Sequence, residues 1–415
     1  MTATVRLPHE TSFPKDRIRV LLLEGIHESA RDVFRQEGFQ LETVTGALDE
    51  DTLVERLRDV HILGIRSRTH ITDRAISRAG RLLTLGAFCI GTNQVDLDAA
   101  ARRGVPVFNA PFSNTRSVAE LVIAEIIALA RRLTDRTRDM HEGRWRKSTA
   151  ASHEVRGKTL GVVGYGHIGT QVGVLAEAVG LHVLFHDITP KLPMGNNRSA
   201  ESLDAMLAQS DFVTVHVPDA PSTRGLIGAR QLARMRRGAY LINLSRGSVL
   251  DVGALAGALR SGHLAGAAVD VFSAEPDGDT DTFTSELQGI PNVILTPHVA
   301  GSTEEAQDAI GREVAHALVK FVNSGATAGA VNFPHVEPPP LGDRHRLLNI
   351  HRNIPGVLSS INRIVADAQA NIEGQILATT QDVGYLVMDL NREVSGEVEH
   401  QMAMLETSIR TRVLY

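Results

Sequence analysis

Short β-branched runs alternate with amphipathic segments in two long stretches of the chain. Between residues 17 and 111 the runs are RIRVLLLE, VHILGI, RLLTLGAF and VPVFNA, separated by amphipathic segments such as HESARDVFRQEG. A second series begins at TLGVVGYGHIG and continues through LHVLFHD, DFVTVHVP, AYLINLSRG, AGAAVDVF and NVILTPH. Parallel strands joined by crossover helices produce this alternation. The sequence therefore predicts an α/β fold with two parallel sheets, whose ligands bind beyond the carboxyl ends of the strands.

Two further segments organise the rest of the chain. Residues 117–141 have apolar side chains at helical spacing, and Ser117 with Glu120 three residues on has the pattern of a capping box, so we expect one bridging helix. The three prolines after Glu337 can continue neither a helix nor a central strand and mark a linker. Beyond them, roughly 70 residues have the order strand, helix, strand, strand, helix, strand, which predicts a ferredoxin-like βαββαβ module.

Composition excludes several classes of function. The chain has 43 Lys and Arg against 48 Asp and Glu, a net charge of −5, which favours neither nucleic acid nor an anionic membrane as a partner. Cys89 is the single cysteine, so an intramolecular disulfide is impossible, as expected in a reducing cytoplasm. The N-terminal residues contain no apolar stretch of signal-peptide length, and the most apolar segment, LVIAEIIALA, is short and contains Glu125. We expect a soluble cytoplasmic protein without a metal.

A glycine-rich turn between an apolar run and a helix indicates a dinucleotide site. Gly164, Gly166 and Gly169 form the pattern G-x-G-x-x-G, which lets the backbone approach a pyrophosphate at the N-terminus of a helix. Asp187 ends the next strand, where a carboxylate accepts hydrogen bonds from the ribose hydroxyls and repels a 2′-phosphate. The cofactor predicted is therefore NAD rather than NADP.

Three polar residues follow strands of the second series and have the chemistry needed to oxidise a 2-hydroxy acid. Arg246 offers a planar guanidinium for a carboxylate. His298 is a titratable base, and Glu275 could accept a hydrogen bond from its imidazole. Taken singly, each residue has an ordinary structural explanation, so the prediction depends on the three together.

With these motifs in order, the chain resembles the D-isomer-specific 2-hydroxyacid dehydrogenases, and among them the D-3-phosphoglycerate dehydrogenases that end in an ACT regulatory module. The resemblance is carried by FNAPFSNTRSVAEL, RGKTLGVVGYGHIGTQ, FHDITPKLPMGN, LINLSRGSVLD, AAVDVFSAEP and LTPHVAGSTEEAQ. It implies that Arg246 binds the carboxylate, that His298 is the acid/base and that Glu275 is its partner. It also implies NAD contacts from His167, Ile168, Asp187, Leu244, Ser245, Arg246, Asp270, His298, Val299, Ala300 and Gly301, with Ala300 standing where close relatives have a second glycine.

The resemblance also implies a phosphorylated substrate, D-3-phosphoglycerate. Arg66, Ser67 and Asn114 would line the substrate cleft. Basic residues near Trp145 would reach a cleft of a partner subunit; these are Arg138, Arg144, Arg146 and Lys147. A distal carboxylate could use the same arginines, so another 2-hydroxy acid, such as 2-hydroxyglutarate, remains the alternative substrate.

The C-terminal module would regulate the enzyme. By resemblance, ACT modules pair across subunits, and His351, Asn353 and Asn371 would bind L-serine as a feedback inhibitor. We expect a homo-oligomer, a tetramer. Two other classes stay open: an NAD-binding corepressor, disfavoured because we see no long disordered tails, and an amino-acid sensor with an inactive dehydrogenase part, disfavoured because Arg246, Glu275 and His298 are all present.

These inferences together predict three domains. The 415 residues exceed what one hydrophobic core usually supports. We expect a discontinuous substrate-binding domain formed by residues 1–113 and 302–332, an inserted NAD-binding domain of residues 114–301, a linker at 333–343 and an ACT module at 344–415.

Overall fold

The computed structural model describes residues 12–276, 282–342, 344–391 and 395–415. The first 11 residues, in which we expect no signal peptide, lie outside the described residues, as does residue 343 of the expected linker. The chain divides into two compact units, one formed by residues 1–113 with 307–415 and the other by residues 114–306. The further division of the first unit into a substrate-binding domain and an ACT module stays a prediction.

The first unit contains a five-stranded parallel sheet. Its strands are β1 (Arg19–Leu22), β2 (Gln40–Thr43), β3 (Ile62–Ile65), β4 (Thr84–Ala87) and β5 (Val107–Asn109). Its helices are α1 (Glu28–Gln36), α2 (Glu50–Arg56), α3 (Asp73–Arg78) and α4 (Leu97–Arg102). The strand order is β2-β1-β3-β4-β5, the flavodoxin-like order, and apolar clusters cover both faces of the sheet.

The second unit contains a seven-stranded parallel sheet. Its strands are β6 (Thr159–Val163), β7 (His182–His186), β8 (Arg198–Ser199), β9 (Phe212–Val215), β10 (Ala239–Asn243), β11 (Leu264–Val269) and β12 (Val293–Leu295). Its helices are α5 (Thr115–Arg131), α6 (Leu133–His141), α7 (His167–Ala178), α8 (Leu203–Gln209), α9 (Ala229–Arg234) and α10 (Val252–Arg260). The order β12-β11-β10-β9-β6-β7-β8 reverses between β6 and β9, which is where open α/β sheets bind their ligands.

The predicted bridging helix is wrong in two respects. Ser117 is not its N-cap, because α5 begins at Thr115 and the Ser117 hydroxyl lies 2.8 Å from that of Thr303. The helix also breaks at Arg132, which adopts a left-handed conformation with φ of 50°. Neither glycine nor proline marks the break, so the helical spacing of apolar residues continued through it.

The C-terminal residues form the predicted βαββαβ module. Its elements are β13 (His345–Arg352), α12 (Val357–Asp367), β14 (Ile372–Thr379), β15 (Val383–Leu390), α13 (Ser395–Ala403) and β16 (Ser408–Leu414). The antiparallel strand order is β14-β15-β13-β16. One face of this sheet packs on α12 and α13, and the other shares an apolar cluster with the long helix α11 (Glu304–Ser324). The predicted fold class, two parallel α/β sheets and a ferredoxin-like module, is confirmed.

Within the described ranges, none of the helices combines the length and the apolar character needed to cross a membrane.

Candidate active site

The glycine-rich turn connects β6 to α7 as the sequence predicts. A Cβ on Gly169 would lie 2.1 Å from the carbonyl oxygen of Gly164, so only glycine permits this close packing of helix on turn. A Cβ on Gly166 would meet no atom within 4 Å, which leaves open space in front of the turn. The N-cap of α7 is Gly166, which has no side chain with which to accept from the first amides of the helix. The turn therefore fits a pyrophosphate approaching the first amides of α7, which begins with His167 and Ile168.

Asp187 follows β7 beside this turn. Its carboxylate accepts hydrogen bonds from the backbone N–H of Tyr165 at 2.9 Å and from that of Thr189 at 3.0 Å. Burial would raise the pKa of Asp187, but these two hydrogen bonds outweigh burial and lower it. Asp187 is thus held as an acceptor at the edge of the glycine-rich turn, which suits ribose hydroxyls.

A tight turn after β10 positions Arg246. The buried Asn243 accepts hydrogen bonds at its side-chain oxygen from the N–H of Ser245 at 3.1 Å and its hydroxyl at 2.8 Å, and donates to the carbonyl of Arg246 at 3.1 Å. A Cβ on Gly247 would lie 2.0 Å from the carbonyl carbon of Phe272, so the turn requires glycine there. Sequence reasoning missed Asn243, although a polar residue closing an otherwise apolar strand was a visible signal. Leu244, at the start of the turn, is buried.

His298 and Glu275 form the predicted hydrogen-bonded pair. Nδ1 of His298 lies 2.8 Å from Oε2 of Glu275, and Oε1 of Glu275 accepts the N–H of Phe272 at 3.0 Å. The hydrogen bond to Glu275 raises the pKa of His298 and outweighs burial, which would lower it. Burial would raise the pKa of Glu275, but the hydrogen bonds from His298 and Phe272 lower it, and the charge of Arg246 adds to this. The side chain of His298 is 50 % exposed. Its second ring nitrogen, which does not contact Glu275, is therefore open to solvent and to a reactant.

Residues 296–301, called the catalytic loop below, are held from beneath by Asp270. This buried carboxylate accepts hydrogen bonds from the Thr296 hydroxyl at 2.6 Å and from the N–H groups of Val299 and Ala300, each at 2.9 Å. The backbone carbonyl of Asp270 accepts the N–H of His298 at 2.8 Å. These bonds hold His298 at φ of 54°, a left-handed conformation that costs a non-glycine residue about 1–3 kcal/mol. Asp270 thus stabilises the conformation of the loop. Alanine at position 300 provides the same backbone N–H that a glycine would.

Near Asp270 lies a second carboxyl group, which sequence reasoning used only as an argument against a membrane span and did not assign to the site. Glu125 of α5 is 3 % exposed, and neither of its carboxyl oxygens has a hydrogen-bond partner among the described residues. Burial, and then the negative charge of Asp270, raise the pKa of Glu125 to about 8. Glu125 is therefore a neutral acid at pH 7. Its signal in the sequence was a carboxylate inside the most apolar segment of the chain.

The comparisons with known proteins agree with this geometry. Residues 123–300 match the family model described as D-isomer specific 2-hydroxyacid dehydrogenase, NAD binding domain, and residues 347–410 match that of an AHAS small subunit-like ACT domain. A D-3-phosphoglycerate dehydrogenase of Dictyostelium discoideum is 53 % identical over 98 % of this chain and 99 % of its own length. That of Escherichia coli K12 is 50 % identical over 98 % of this chain and 100 % of its own length.

This chain belongs to the D-3-phosphoglycerate dehydrogenase family. Among solved structures, a D-lactate dehydrogenase from Aquifex aeolicus, complexed with NAD and lactic acid, covers 76 % of this chain and 100 % of its own, with a TM-score of 0.66 and 26 % identity. The chain is an NAD-dependent oxidoreductase with a C-terminal ACT domain, and the residues of the glycine-rich turn and Asp187 fit NAD.

The residues expected to bind substrate in this member of the D-3-phosphoglycerate dehydrogenase family lie on two loops. Arg66 and Ser67 follow β3 in the first unit; Arg66 is half-buried and Ser67 is exposed. Asn114 belongs to the second unit, where its side-chain nitrogen would lie 2.1 Å from a Cβ on Gly301. Its side-chain oxygen is buried and has no partner within the described residues.

Two of the four basic residues near Trp145 pair with acids of the same chain. Arg144 pairs with Asp139 at 2.6 Å, and Arg146 lies 3.7 Å from the same carboxylate. The indole of Trp145 is 80 % exposed. Arg138 and Lys147 lie in the same segment, on and after α6.

The three residues expected to bind serine are not brought together within one chain. His351 lies within β13 rather than in the turn after it, is buried, and places Nδ1 2.9 Å from Oδ1 of Asn349. The Asn353 side chain donates to the carbonyl of Thr380, just beyond β14, at 2.8 Å. Asn371 precedes the other end of β14, roughly 30 Å from Thr380 at the usual rise of a strand.

Proposed function

We propose that this chain oxidises D-3-phosphoglycerate at C2 to 3-phosphohydroxypyruvate, with NAD as hydride acceptor, as the first step of L-serine biosynthesis. The observation that carries the proposal is the His298–Glu275 hydrogen bond with Arg246 nearby, in a chain of this family. NAD, which the glycine-rich turn and Asp187 would hold, would supply the hydride acceptor for the hydrogen on C2 when bound.

The chain's own residues supply the remaining chemistry. The free nitrogen of His298 takes the hydroxyl proton as the carbonyl forms, and Glu275 holds the imidazole and stabilises its charged form. Arg246 binds the α-carboxylate through its guanidinium. Because the pKa of His298 is raised, oxidation accelerates as pH rises through that pKa, whereas reduction needs the protonated imidazole and is favoured below it.

The substrate phosphate is proposed to bind Arg66 and Ser67, with Asn114 contributing an amide. The half-buried position of Arg66 supports this, since a partly desolvated guanidinium binds phosphate oxygens more strongly than a fully exposed one. A distal carboxylate has related geometry, so 2-hydroxyglutarate is the competing substrate.

Serine regulation is proposed to require two copies of the chain. The separation of Asn371 from Asn353 along β14 supports a site in which one copy supplies His351 and Asn353 and a second copy supplies Asn371. Burial lowers the pKa of His351, so a neutral imidazole would meet the amino acid. We therefore also propose a homo-oligomer, a tetramer, acting in the cytoplasm, where the single Cys89 stays reduced.

The testing experiment follows NADH absorbance with the purified protein. D-3-Phosphoglycerate and 2-hydroxyglutarate are offered separately with NAD, and the matching keto acids with NADH, each with and without L-serine. Turnover of the phosphorylated pair, suppressed by serine, is expected. Activity only on the unphosphorylated acids would overturn the substrate, and activity unaffected by millimolar serine, with no serine binding, would overturn the regulation alone.

A further inference from the structure

The loop that carries Arg66 is held by a buried carboxylate that has no assigned role. Glu24 follows β1, which pairs in parallel with β3, so its side chain reaches the residues that follow β3. Residues 66–69 are called the substrate loop below. Glu24 is 5 % exposed, and a carboxylate this buried is rare in proteins unless its oxygens are fully engaged.

Glu24 engages three backbone donors of the substrate loop. Oε1 accepts the N–H of Arg66 at 3.2 Å and that of Thr69 at 2.9 Å, and Oε2 accepts the N–H of Arg68 at 2.9 Å. On the other side, the side-chain amide of Gln94 donates to the carbonyl of Arg66 at 2.6 Å. The backbone of Arg66 is therefore fixed at both its N–H and its carbonyl.

The backbone of Glu24 supports a functional reason for this arrangement. Glu24 has φ of 59° and is followed by Gly25 with φ of 61°, so a non-glycine residue occupies the left-handed region. Glycine would adopt this conformation without strain, but it would leave the loop amides without their acceptor. The strain is retained where a carboxylate is needed beneath the loop.

The same three amides would otherwise form a concave set of N–H donors that attracts anions. With the Glu24 carboxylate in that position, these three amides are not available to an incoming anion, which must bind through the side chains of the loop and the N–H of Ser67. The guanidinium of Arg66 then determines where the distal anion binds.

We propose that Glu24 is a positioning residue for substrate binding: it holds the substrate loop so that Arg66 and Ser67 face the distal anionic group of the 2-hydroxy acid. This inference rests on the proposed function, because Arg66 is assigned to the substrate there. It concerns the affinity for substrate and not the proton transfer at His298.

The test is a double-mutant cycle in the full-length protein with Glu24→Gln, Arg66→Ala and the pair. Glutamine keeps the size of the side chain but replaces one carboxylate oxygen by an N–H₂ group. One loop N–H then loses its acceptor and faces another donor. We expect Glu24→Gln to raise the KM for 3-phosphoglycerate on the order of tenfold, the scale of one lost hydrogen bond to a charged group, with kcat and the KM for NAD nearly unchanged.

Coupling separates positioning from general destabilisation. If Glu24 acts through Arg66, adding Glu24→Gln to Arg66→Ala changes the KM little further. Effects that multiply, or a rise in the KM for NAD of the same size, would overturn the proposal. The matched control is Asp49→Asn, which removes a carboxylate accepting the N–H of Thr52 at 3.0 Å in the same unit and should leave both KM values unchanged.

A second variant covers the case in which Glu24→Gln fails to fold. Gln94→Ala removes the donor to the carbonyl of Arg66, together with its longer contacts to Cys89 and Gly91, and leaves Glu24 in place. It should raise the same KM severalfold, again only while Arg66 is present; an unchanged KM would count against the proposal. If the wild-type chain oxidises 2-hydroxyglutarate but not 3-phosphoglycerate, the proposed substrate fails, and the cycle is run with 2-hydroxyglutarate, where the same coupling is expected.

Discussion

The catalytic loop and the substrate loop are held in the same manner by carboxylates with different neighbours. Asp270 accepts three hydrogen bonds from the catalytic loop, and Glu24 accepts three from the substrate loop. Each loop follows a parallel strand, where backbone donors no longer have a partner in the sheet. Asp270 differs in lying near Glu125, an acid without a hydrogen-bond partner among the described residues.

The two loops should control different kinetic parameters. Asp270 holds the backbone that carries the proposed base, so a change there should act on kcat. Glu24 holds the backbone that carries the proposed anion-binding arginine, so a change there should act on KM. Beside the catalytic loop, burial and then the charge of Asp270 raise the pKa of Glu125, so the charge of this neighbour depends on pH.

The largest effect is expected from the catalytic loop itself. His298→Ala should lower kcat by on the order of 10²-fold or more, the usual scale for a lost general acid/base. Steady-state rates in both directions measure it, and the control is His182→Ala, an exposed histidine at the start of β7. A loss of less than fivefold would remove His298 from the chemistry.

Asp270→Asn should come next. One loop N–H would then face an amide N–H₂, and losing a hydrogen bond to a charged group costs about 1.5–3 kcal/mol, or about 10–100-fold in kcat. The control is Asp251→Asn, which removes an N-cap acceptor for Ala254 in the same unit. If the KM for NAD rises while kcat is unchanged, Asp270 contacts the cofactor directly, and its comparison with Glu24 as a residue that holds a loop is wrong.

Arg66→Ala tests the substrate loop at the side chain. The KM for 3-phosphoglycerate should rise about tenfold or more, as expected for a lost guanidinium–phosphate contact, and the KM for NAD should stay within about twofold. Arg58→Ala, an exposed arginine of the same unit, is the control. Equal rises in both KM values would contradict a role specific to the substrate.

The parts of the site that could be predicted from sequence lie close together along the chain. The turn from Gly164 to Gly169 and its acid, Asp187, follow a fixed order of strand, turn and helix, which local patterns reveal. The pairing of His298 with Glu275 was also within reach, because the two residues follow β11 and β12, which are consecutive strands of the chain.

What could not be predicted depends on which strands are neighbours. Glu24 is 42 residues from Arg66, and their contact exists only because β1 and β3 are adjacent. Glu125 meets the charge of Asp270 through the packing of α5 on the sheet, for which one sequence offers no signal. The break at Arg132 was missed because an arginine in the left-handed conformation leaves no pattern.

The smallest effect on turnover is expected at Glu125, and it depends on pH. The pKa of Glu125 is about 8 in the folded chain against an ordinary value of 4.5. Between these values the folded state holds a proton that the unfolded state has lost, so stability falls as pH rises through this window and is level above it. Glu125→Gln removes this dependence and should raise the free energy of unfolding by on the order of 4 kcal/mol at pH 8 but little at pH 4.5.

The kcat values of the wild type and of Glu125→Gln should differ only at alkaline pH. Below pH 8 the kcat of Glu125→Gln should equal that of the wild type; at pH 9 the ionised Glu125 of the wild type repels Asp270, loosens the catalytic loop and lowers kcat about two- to threefold relative to the variant. Urea unfolding from pH 5 to 9 and kcat over the same range measure both effects, with Glu120→Gln, an exposed glutamate of α5, as control. A stability difference that stays constant across that range would mean that Glu125 does not titrate there. The hold of Asp270 on the catalytic loop would then not depend on the charge of Glu125.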